Sequence, residues 1–157
     1  MPYLIDGHNL IGQMPGLRLS DPDDEMRLVS SLRPFCRRKR AQLTVYFDRG
    51  QPGSEASLSS GSIKIHFIRP PGTADQAIRA HLTRLRGEAR NWVVVSSDRE
   101  VQAAARAAGA RVVSSREFVR ELQAAATRQA EKPETPSPDD IAYWERRFSR
   151  KQKPPSH

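Results

Sequence analysis

Residues 91–101 read NWVVVSSDREV, and the fold can be worked out from this stretch. The almost continuous apolar run within residues 91–97 predicts a short strand of the kind that is buried on both faces of a parallel sheet. The next residues, 98–109, read DREVQAAARAAG and predict a helix that is closed by Gly109. A buried strand that leads directly into a helix is the repeating unit of an α/β domain.

The same alternation extends to both sides of this stretch. Further strands are predicted within residues 2–6, 42–48, 62–69 and 110–115, and further helices within residues 21–40, 74–89 and 116–130. Pro34 predicts that the first of these helices is either kinked there or begins later. The chain is therefore predicted to be an α/β protein with a mostly parallel sheet flanked by helices, and its weakest point is the loop at 49–62, which has no helical pattern.

The end of the chain is predicted to be an appendage. Residues 1–128 form the sheet domain, residues 129–138 a polar, Pro-rich linker, and residues 139–157 a basic amphipathic helix with a disordered tail. The favoured interpretation is that this C-terminal helix packs on the domain through its apolar face. The alternative is a basic arm that reaches RNA or the ribosome through Arg146, Arg147, Arg150, Lys151 and Lys153.

The composition favours a polyanionic partner. The 157 residues carry a formal net charge of +8, and the main cation is Arg, which binds phosphate through two parallel hydrogen bonds. The alternative is simply a solvated surface that is rich in Arg. The single cysteine, Cys36, excludes an intrachain disulfide and a Cys-based zinc site and fits a reducing cytoplasm. The sequence predicts neither a signal peptide nor a membrane span.

Four aspartates are predicted to meet at one edge of the sheet. Asp6 ends the first strand, Asp48 ends the second, Asp98 follows the fourth, and Asp75 begins the helix after the third. Because the carboxyl ends of parallel strands lie along one edge, these side chains should converge there.

Each aspartate also has a purely structural explanation. Asp6 and Asp48 precede glycine-containing stretches that are typical of turns. Asp75 falls in a first helical turn, where negative charge is favoured. Asp98 lies within a capping box formed by Ser97 and Glu100.

Taken together, the acids favour a metal site. Asp75 precedes Ile78 and Leu82 by one and two helical turns, so it shares their face and is expected to point inward. Four inward carboxylates stay ionised together only when a cation compensates them, and all-oxygen ligands favour Mg²⁺ or Mn²⁺. Such a metal activates water for attack on a phosphodiester, and Asn9 beside Asp6 is suited to orienting an acid, a water or a phosphate.

The competing α/β chemistries fit less well. The sequence contains no Walker A motif, no G-x-G-x-x-G and no G-x-S-x-G. An aspartyl phosphatase would usually carry a second acid two residues after the first, where this chain has His8. For His8, local hydrogen bonding is favoured over proton transfer. Gly7 has no Cβ atom and therefore lets the backbone approach a neighbouring group closely.

Four motifs, in this order and spacing, resemble a known family. They are YLIDGHNLI at residues 3–11, VYFDRG at 45–50, GTADQAI at 72–78 and VVVSSDREV at 93–101. They resemble the NYN domain of the PIN-like nuclease superfamily and, within it, the YacP-like bacterial group. The resemblance covers residues 1–125.

The resemblance implies an acidic pocket that binds Mg²⁺ or Mn²⁺, and endoribonuclease activity on single-stranded RNA. Carried over residue by residue, the metal ligands are Asp6, Asp48, Asp75 and Asp98, and the catalytic residues are Asp6, Asp75, Asp98 and Asn9. The YacP-like group is associated with cleavage of messenger RNA on the translating ribosome. Arg49 departs from the expected pattern, because it could either contact the scissile phosphate or pair with an acid and displace a metal.

Three hypotheses of function follow. The leading one is a cytoplasmic, metal-dependent endoribonuclease. The second is an RNA- or ribosome-binding module that keeps the fold without catalysis, and it is motivated by Arg49 and the basic tail. The third is a phosphatase or a nuclease for structured DNA, which the same acids would serve.

Overall fold

A computed structural model describes residues 1–16, 24–48, 59 and 61–131, with side chains described as far as residue 127. The chain divides into two units, Met1–Thr127 and Arg128–His157. The sheet and the site belong to the first unit. The predicted linker, C-terminal helix and tail lie in the second unit, almost entirely outside the described residues, so the predicted domain boundaries stay a prediction.

The chain alternates between strands and helices, as the sequence predicts. The strands are β1 (Tyr3–Asp6), β2 (Leu43–Asp48), β3 (Ile63–Ile68), β4 (Val93–Val95) and β5 (Arg111–Val113). The helices are α1 (Gly7–Ile11), α2 (Asp24–Lys39), α3 (Ala74–Leu85), α4 (Arg99–Ala107) and α5 (Ser115–Glu131). A 3-10 turn, Arg86–Asn91, connects α3 to β4.

All five strands are parallel and lie in the order β3-β2-β1-β4-β5. The predicted α/β fold with a parallel sheet is therefore confirmed. β1 lies at the centre of the sheet, and its last residue, Asp6, is in register with Tyr46 of β2. Because every strand runs in the same direction, the ends of β2, β1 and β4 meet at the middle of one edge.

Both faces of the sheet are covered by helices. On β1, Ile5 belongs to the core that α1, α2 and α5 close, and Leu4 belongs to the core that α3 and α4 close. Both side chains are fully buried. Burial on both faces explains why the central strands are continuously apolar instead of alternating.

Two local predictions differ from the structure. α2 runs unbroken through Pro34, so the predicted later start is wrong, while the alternative of a kink at Pro34 stays a prediction. The helix predicted at 74–89 ends at Leu85, because Arg86 has a positive φ of 52° and the chain continues as a 3-10 turn. A positive φ is sterically costly for a residue with a Cβ atom, and the preceding sequence gives no sign of it.

None of the helices in the described ranges combines the length and the apolar character that a membrane span requires.

Candidate active site

The site lies where three neighbouring strands end. Asp6 is the last residue of β1, Asp48 is the last residue of the adjacent β2, and Asp98 follows β4 on the other side of β1. The parallel arrangement thus brings together three of the four predicted acids, which are up to 92 positions apart in a chain of 157 residues.

Asp6 is the most buried of these acids. Only 8% of its surface is exposed, and its carboxylate accepts hydrogen bonds from the hydroxyl of Ser96, at 3.3 Å, and from the backbone N–H of Asn9. The pKa of Asp6 is raised to about 6, mainly by burial. The negative charges of Asp48 and Asp98 also raise it, and the two hydrogen bonds lower it. The ionised form of Asp6 is therefore destabilised by its surroundings.

Ser96 joins Asp6 to Asp98. Its hydroxyl donates to Asp6 Oδ2 and accepts from the backbone N–H of Asp98 at 3.0 Å. Ser96 itself is fully buried, and its carbonyl oxygen accepts from the side chain of Gln102 at 2.8 Å. The hydroxyl of Ser96 therefore fixes the position of one acid relative to the other.

Asp98 is the N-cap of α4. Its Oδ1 accepts the backbone N–H groups of Glu100, at 2.8 Å, and Val101, at 3.3 Å. The predicted capping box with Ser97 at the N-cap is wrong, because the helix begins one residue later and the Ser97 hydroxyl instead accepts from the backbone N–H of Ser115. Oδ2 of Asp98 has no hydrogen bond within the described ranges.

Asp48 is held by the helix that follows β3. Its Oδ1 accepts the backbone N–H of Ala74, the first residue of α3, at 2.6 Å. Oδ2 of Asp48 makes no hydrogen bond to any residue that the structure describes. Asp48 and Asp98 thus each use one carboxylate oxygen to hold a helix N-terminus and keep the other available.

Asp75 has different surroundings from the other three acids. The sequence predicts that it points inward, but its side chain is 25% exposed and both carboxylate oxygens are bound by Arg79, with Nε to Oδ1 at 2.9 Å and Nη2 to Oδ2 at 2.6 Å. Nη2 of Arg79 also contacts Oε2 of Glu100 at 2.7 Å. A protein cation, one helical turn away, therefore compensates Asp75 in this structure, and its role as a metal ligand stays a prediction.

Asn9 holds three segments together. Its Oδ1 accepts from the backbone N–H of Ser97 at 2.8 Å and from the hydroxyl of Ser115 at 2.6 Å. Its own backbone N–H donates to Asp6. The predicted orienting role toward Asp6 thus comes from the backbone, while the side chain ties α1 to the loop after β4 and to the start of α5.

Gly7 and His8 surround Phe47. A Cβ atom at Gly7 would lie 2.3 Å from Cε1 of Phe47, which makes glycine necessary at this close approach. The His8 ring packs on Phe47 with a centroid distance of 5.1 Å, and its Nε2 lies 3.2 Å from Oε1 of Glu25. His8 therefore makes local contacts, as the sequence analysis favoured.

Sequence reasoning missed four residues of this region: Ser96, Ser115, Arg79 and Glu100. A detectable signal existed only for Arg79, which lies four residues after Asp75 and is therefore its neighbour on the helix surface. The contacts of Ser96 and Ser115 join positions that are 90 and 106 residues apart, and no local pattern encodes them. Glu100 was identified only as part of the capping box.

The predicted RNA-binding residues lie outside the described residues. They are Arg49, Arg146, Arg147, Arg150 and Lys151. The loop that is predicted to begin at Arg49 also lies there for most of its length.

The carboxylate oxygens at this site are the ligands that a hard divalent cation prefers. Fewer than three of these described side chains lie close enough together to bind one ion. Asp6, Asp48 and Asp98 supply only oxygen atoms, and no basic side chain contacts any of them within the described residues. Among those residues, no group of three or more His, Cys, Asp or Glu side chains lies close enough together to hold a metal ion. Mg²⁺ is commonly bound through one or two carboxylates and completes its shell with water and substrate phosphate. Two free carboxylate oxygens beside Asp6 meet that requirement.

A comparison with protein families gives a match over nearly the whole chain. The model of the YacP-like NYN domain matches residues 3–154. This chain belongs to the YacP-like NYN family. The predicted resemblance is thereby confirmed, and the YacP-like NYN domain is a nuclease-type fold.

Solved structures of the same family share the fold of this YacP-like NYN domain. Rae1 (YacP) from Bacillus subtilis is 24% identical, with a TM-score of 0.73 over 98% of this chain and 93% of that chain. A W164L mutant of Rae1 is also 24% identical, with a TM-score of 0.68 over 83% and 79%. No curated protein matches the chain. At this identity, the likeness to Rae1 shows the fold alone.

Proposed function

We propose that the protein is a divalent-metal-dependent endoribonuclease that hydrolyses phosphodiester bonds of single-stranded RNA. The observation that carries this proposal is Asp6, a buried carboxylate at the centre of the sheet edge, with Asp48 and Asp98 beside it and no protein cation to compensate it among the described residues. Such an arrangement costs stability in the free protein and is useful only when a cation is bound.

The protein's own residues prepare the position of the reaction. Asp6 and one of its neighbours, Asp48 or Asp98, would hold Mg²⁺ or Mn²⁺, with water and substrate phosphate completing the shell. The sequence also assigns Asp75 to this site, and Asp75 would have to release Arg79 in order to bind the cation. A bound divalent cation supplies activation of a water molecule and stabilisation of negative charge on the phosphate. The bridging hydroxyl of Ser96 fixes Asp6 relative to Asp98.

The choice of RNA is supported by charge and by family. The net charge of +8 favours a polyanionic substrate, and the YacP-like NYN family is associated with RNA. Messenger RNA on the ribosome in the cytoplasm is the first physiological substrate to test, because the resemblance stated from the sequence implies it. Arg49 and the basic C-terminal helix are proposed to contact this RNA.

The test is cleavage of a labelled single-stranded RNA with Mn²⁺ by the wild type, Asp6→Asn and Asp98→Asn. We expect both variants to lose cleavage by on the order of 10³-fold, while circular dichroism shows that they remain folded. Glu88→Gln, which removes an exposed acid from the 3-10 turn, is the matched control and should cleave as the wild type does. Wild-type cleavage rates in both aspartate variants would contradict the assignment.

One observation favours a second candidate, an RNA- or ribosome-binding module without catalysis. The described residues contain no group of three or more metal-binding side chains close together. Calorimetric titration with Mn²⁺ separates the two functions, since a binding module would take up no Mn²⁺ at millimolar concentration. A panel of single-stranded RNA, duplex and flap DNA, and a phosphomonoester tests the phosphatase and DNA nuclease alternatives in the same samples.

A further inference from the structure

A continuous basic surface lies on the α3 side of the sheet. His81 of α3 is surrounded by three other bases: burial lowers its pKa, and so do the charges of Arg84, His66 and Lys64. Arg84 also lines an open concavity with two further arginines of the 3-10 turn. The basic surface therefore runs from the edge strand β3 across the end of α3 to this turn. Its members are Lys64, His66, His81, Arg84, Arg86 and Arg90.

No acid among the described residues forms an ion pair with a member of the basic surface. The side chains of Lys64, Arg86 and Arg90 are exposed. Glu88 is the acid that lines the concavity, and its carboxylate is paired with none of them in the structure. These cations therefore keep their charge for a ligand from outside, in contrast to Arg79, which two carboxylates bind.

Arg84 is oriented by a neutral group. Its guanidinium donates a hydrogen bond to the hydroxyl of Tyr46, and this hydroxyl donates in turn to Nδ1 of His81 at 2.8 Å, since a guanidinium cannot accept. Burial raises the pKa of Tyr46, so the phenol stays uncharged at neutral pH. Arg84 is thus ordered before a ligand arrives, which lowers the cost of binding, and it keeps its positive charge.

The dipole of α3 explains only part of this surface. A cation in the last turn of a helix is stabilised by the carbonyl groups there, which accounts for Arg84. Lys64 and His66 belong to β3, and Arg86 and Arg90 follow the end of the helix. Because like charges repel each other, this concentration of bases destabilises the free protein and indicates a polyanionic ligand.

Two partly exposed rings lie among the bases. Trp92 packs on His81 with a centroid distance of 5.1 Å. The His66 ring stacks on Tyr46, also at 5.1 Å, with an interplanar angle of 25°. Single-stranded nucleic acids bind where cations contact their phosphates and rings stack on their bases. The mixture therefore fits a single strand better than a duplex, in which the bases are already stacked on one another.

The basic surface is separate from the acidic edge. α3 begins at that edge, where the N–H of Ala74 binds Asp48. Arg84 follows Ala74 by ten residues, or about 15 Å along the helix axis. The 3-10 turn then leads to the start of β4, at the opposite edge of the sheet. A phosphate on the basic surface therefore differs from the phosphate that lies at the acids.

We propose that the basic surface binds the phosphate backbone of single-stranded RNA, several nucleotides away from the bond that is cleaved at the acidic edge. Arg84, Arg86 and Arg90 contact the phosphates, and Tyr46 is a positioning residue that acts through Arg84. The proposal rests on the proposed function for the contact of the same RNA with the acids. It implies that RNA long enough to reach both places binds more tightly than short RNA.

The first test measures binding of a labelled single-stranded RNA of about 16 nucleotides in EDTA, where no metal-dependent cleavage occurs. Arg86→Gln/Arg90→Gln should weaken binding by about tenfold and lower the slope of log affinity against log salt concentration by about 1.4, or about 0.7 for each phosphate contact. The matched control, Arg38→Gln/Arg120→Gln, removes two exposed arginines from α2 and α5 on the opposite face of the sheet and should bind as the wild type does.

Tyr46→Phe tests the positioning of Arg84 separately from its charge. The substitution removes the hydroxyl and leaves the ring and every cation in place. Affinity for the same RNA should fall by about threefold, while the salt slope should stay the same because the number of cations is unchanged. Circular dichroism checks that the variant is folded. Unchanged affinity in the folded variant would contradict the positioning role of Tyr46.

The third test compares cleavage of RNAs of about 4 and about 16 nucleotides in the presence of Mn²⁺. In the wild type, KM should be lower for the longer RNA, because only this RNA reaches both the acids and the basic surface. In Arg86→Gln/Arg90→Gln, the KM of the longer RNA should rise to that of the shorter one.

Distinct results overturn the two proposals. Unchanged affinity and salt slope in Arg86→Gln/Arg90→Gln, or an equal loss in the control, would contradict the role of the basic surface and leave the nuclease proposal standing. A wild type that binds RNA through the basic surface but does not cleave it with Mn²⁺ would contradict the nuclease proposal alone. A wild type that neither binds nor cleaves RNA would overturn both.

Discussion

Asp6 and Asp75 lie at the same edge of the sheet but in opposite physical situations. Asp6 is 8% exposed, has acids for neighbours and receives only hydrogen bonds from Ser96 and Asn9. The Asp75 side chain is 25% exposed and is paired through both oxygens with an arginine. Asp75 is thus compensated by a cation of the protein itself, whereas the described residues supply no such cation for Asp6.

The largest difference between the two acids should appear in cleavage. Asp6→Asn removes a proposed ligand of the cation, and we expect a loss on the order of 10³-fold in kcat. Asp75→Asn removes an acid that Arg79 already compensates, and we expect a smaller loss, of about tenfold in kcat/KM. Single-turnover cleavage of one RNA by both variants measures the two effects. Equal losses would remove the distinction between the acids.

The next effect concerns the stability of the metal-free protein. The folded pKa of Asp6, about 6, is higher than the ordinary value of 3.8, so the folded state binds the proton more tightly than the unfolded state. The stability that this proton provides is complete below pH 3.8 and is lost as the pH rises through about 6. The difference between the two pKa values corresponds to about 3 kcal/mol above that range.

Asp6→Asn should therefore raise the free energy of unfolding at pH 7.5 by up to about 3 kcal/mol and have little effect at pH 4. Urea denaturation in EDTA at the two pH values measures this difference. Asp75→Asn is the matched control and should show no such gain, because it breaks a favourable ion pair. A gain that is the same at both pH values would show that the burial of Asp6 is not the cause.

A smaller effect is expected for Ser96, which donates a hydrogen bond to Asp6, whereas Asp75 is bound by Arg79. Ser96→Ala removes the donor to Asp6 and leaves the partly buried backbone N–H of Asp98 without its acceptor. We expect a loss of about 1–3 kcal/mol in the free energy of unfolding and a further rise in the pKa of Asp6. Urea denaturation and NMR titration of the Asp6 carboxyl measure these effects. An unchanged pKa would show that the hydroxyl does not stabilise the ionised form.

The smallest effect should be that of Arg79 on stability. Because the Asp75–Arg79–Glu100 pairing is exposed, Arg79→Gln should change the melting temperature by about 2 °C or less. Calorimetry at low and high salt measures the change. A fall of many degrees would mean that the pairing stabilises the fold. Asp75 and Asp6 would then differ in location and no longer in role.

The sequence allowed the fold and the acidic edge to be predicted because both depend on strong local patterns. The apolar runs at Tyr3–Asp6 and Val93–Val95 are those of strands buried on both faces, and an aspartate lies at or just beyond the end of each run. Parallel pairing puts Asp6 in register with Tyr46, two residues before Asp48 on the adjacent strand, without any knowledge of side-chain positions. The family match agrees with the predicted fold.

The remainder depended on contacts that are not local. The sequence shows that Asp75 has an arginine within reach, but which of Arg79 and a cation it binds depends on the packing of α3 against α4 and on Glu100. The bridging role of Ser96 depends on the register of β1 with β4, in which Ile5 pairs with Val95. The N-cap of α4 was predicted one residue too early, at Ser97 in place of Asp98. The positive φ of Arg86, which ends α3, was not predicted.

The side chain of Asn9 has a consequence for synthesis of the chain. Its carbonyl oxygen accepts from Ser97 and Ser115, which are made 88 and 106 residues later. The backbone of the same asparagine donates to Asp6. A fragment that ends before residue 115 therefore lacks one of the two hydrogen bonds to this side chain, and the contacts of the candidate site are completed only after β5 has been made.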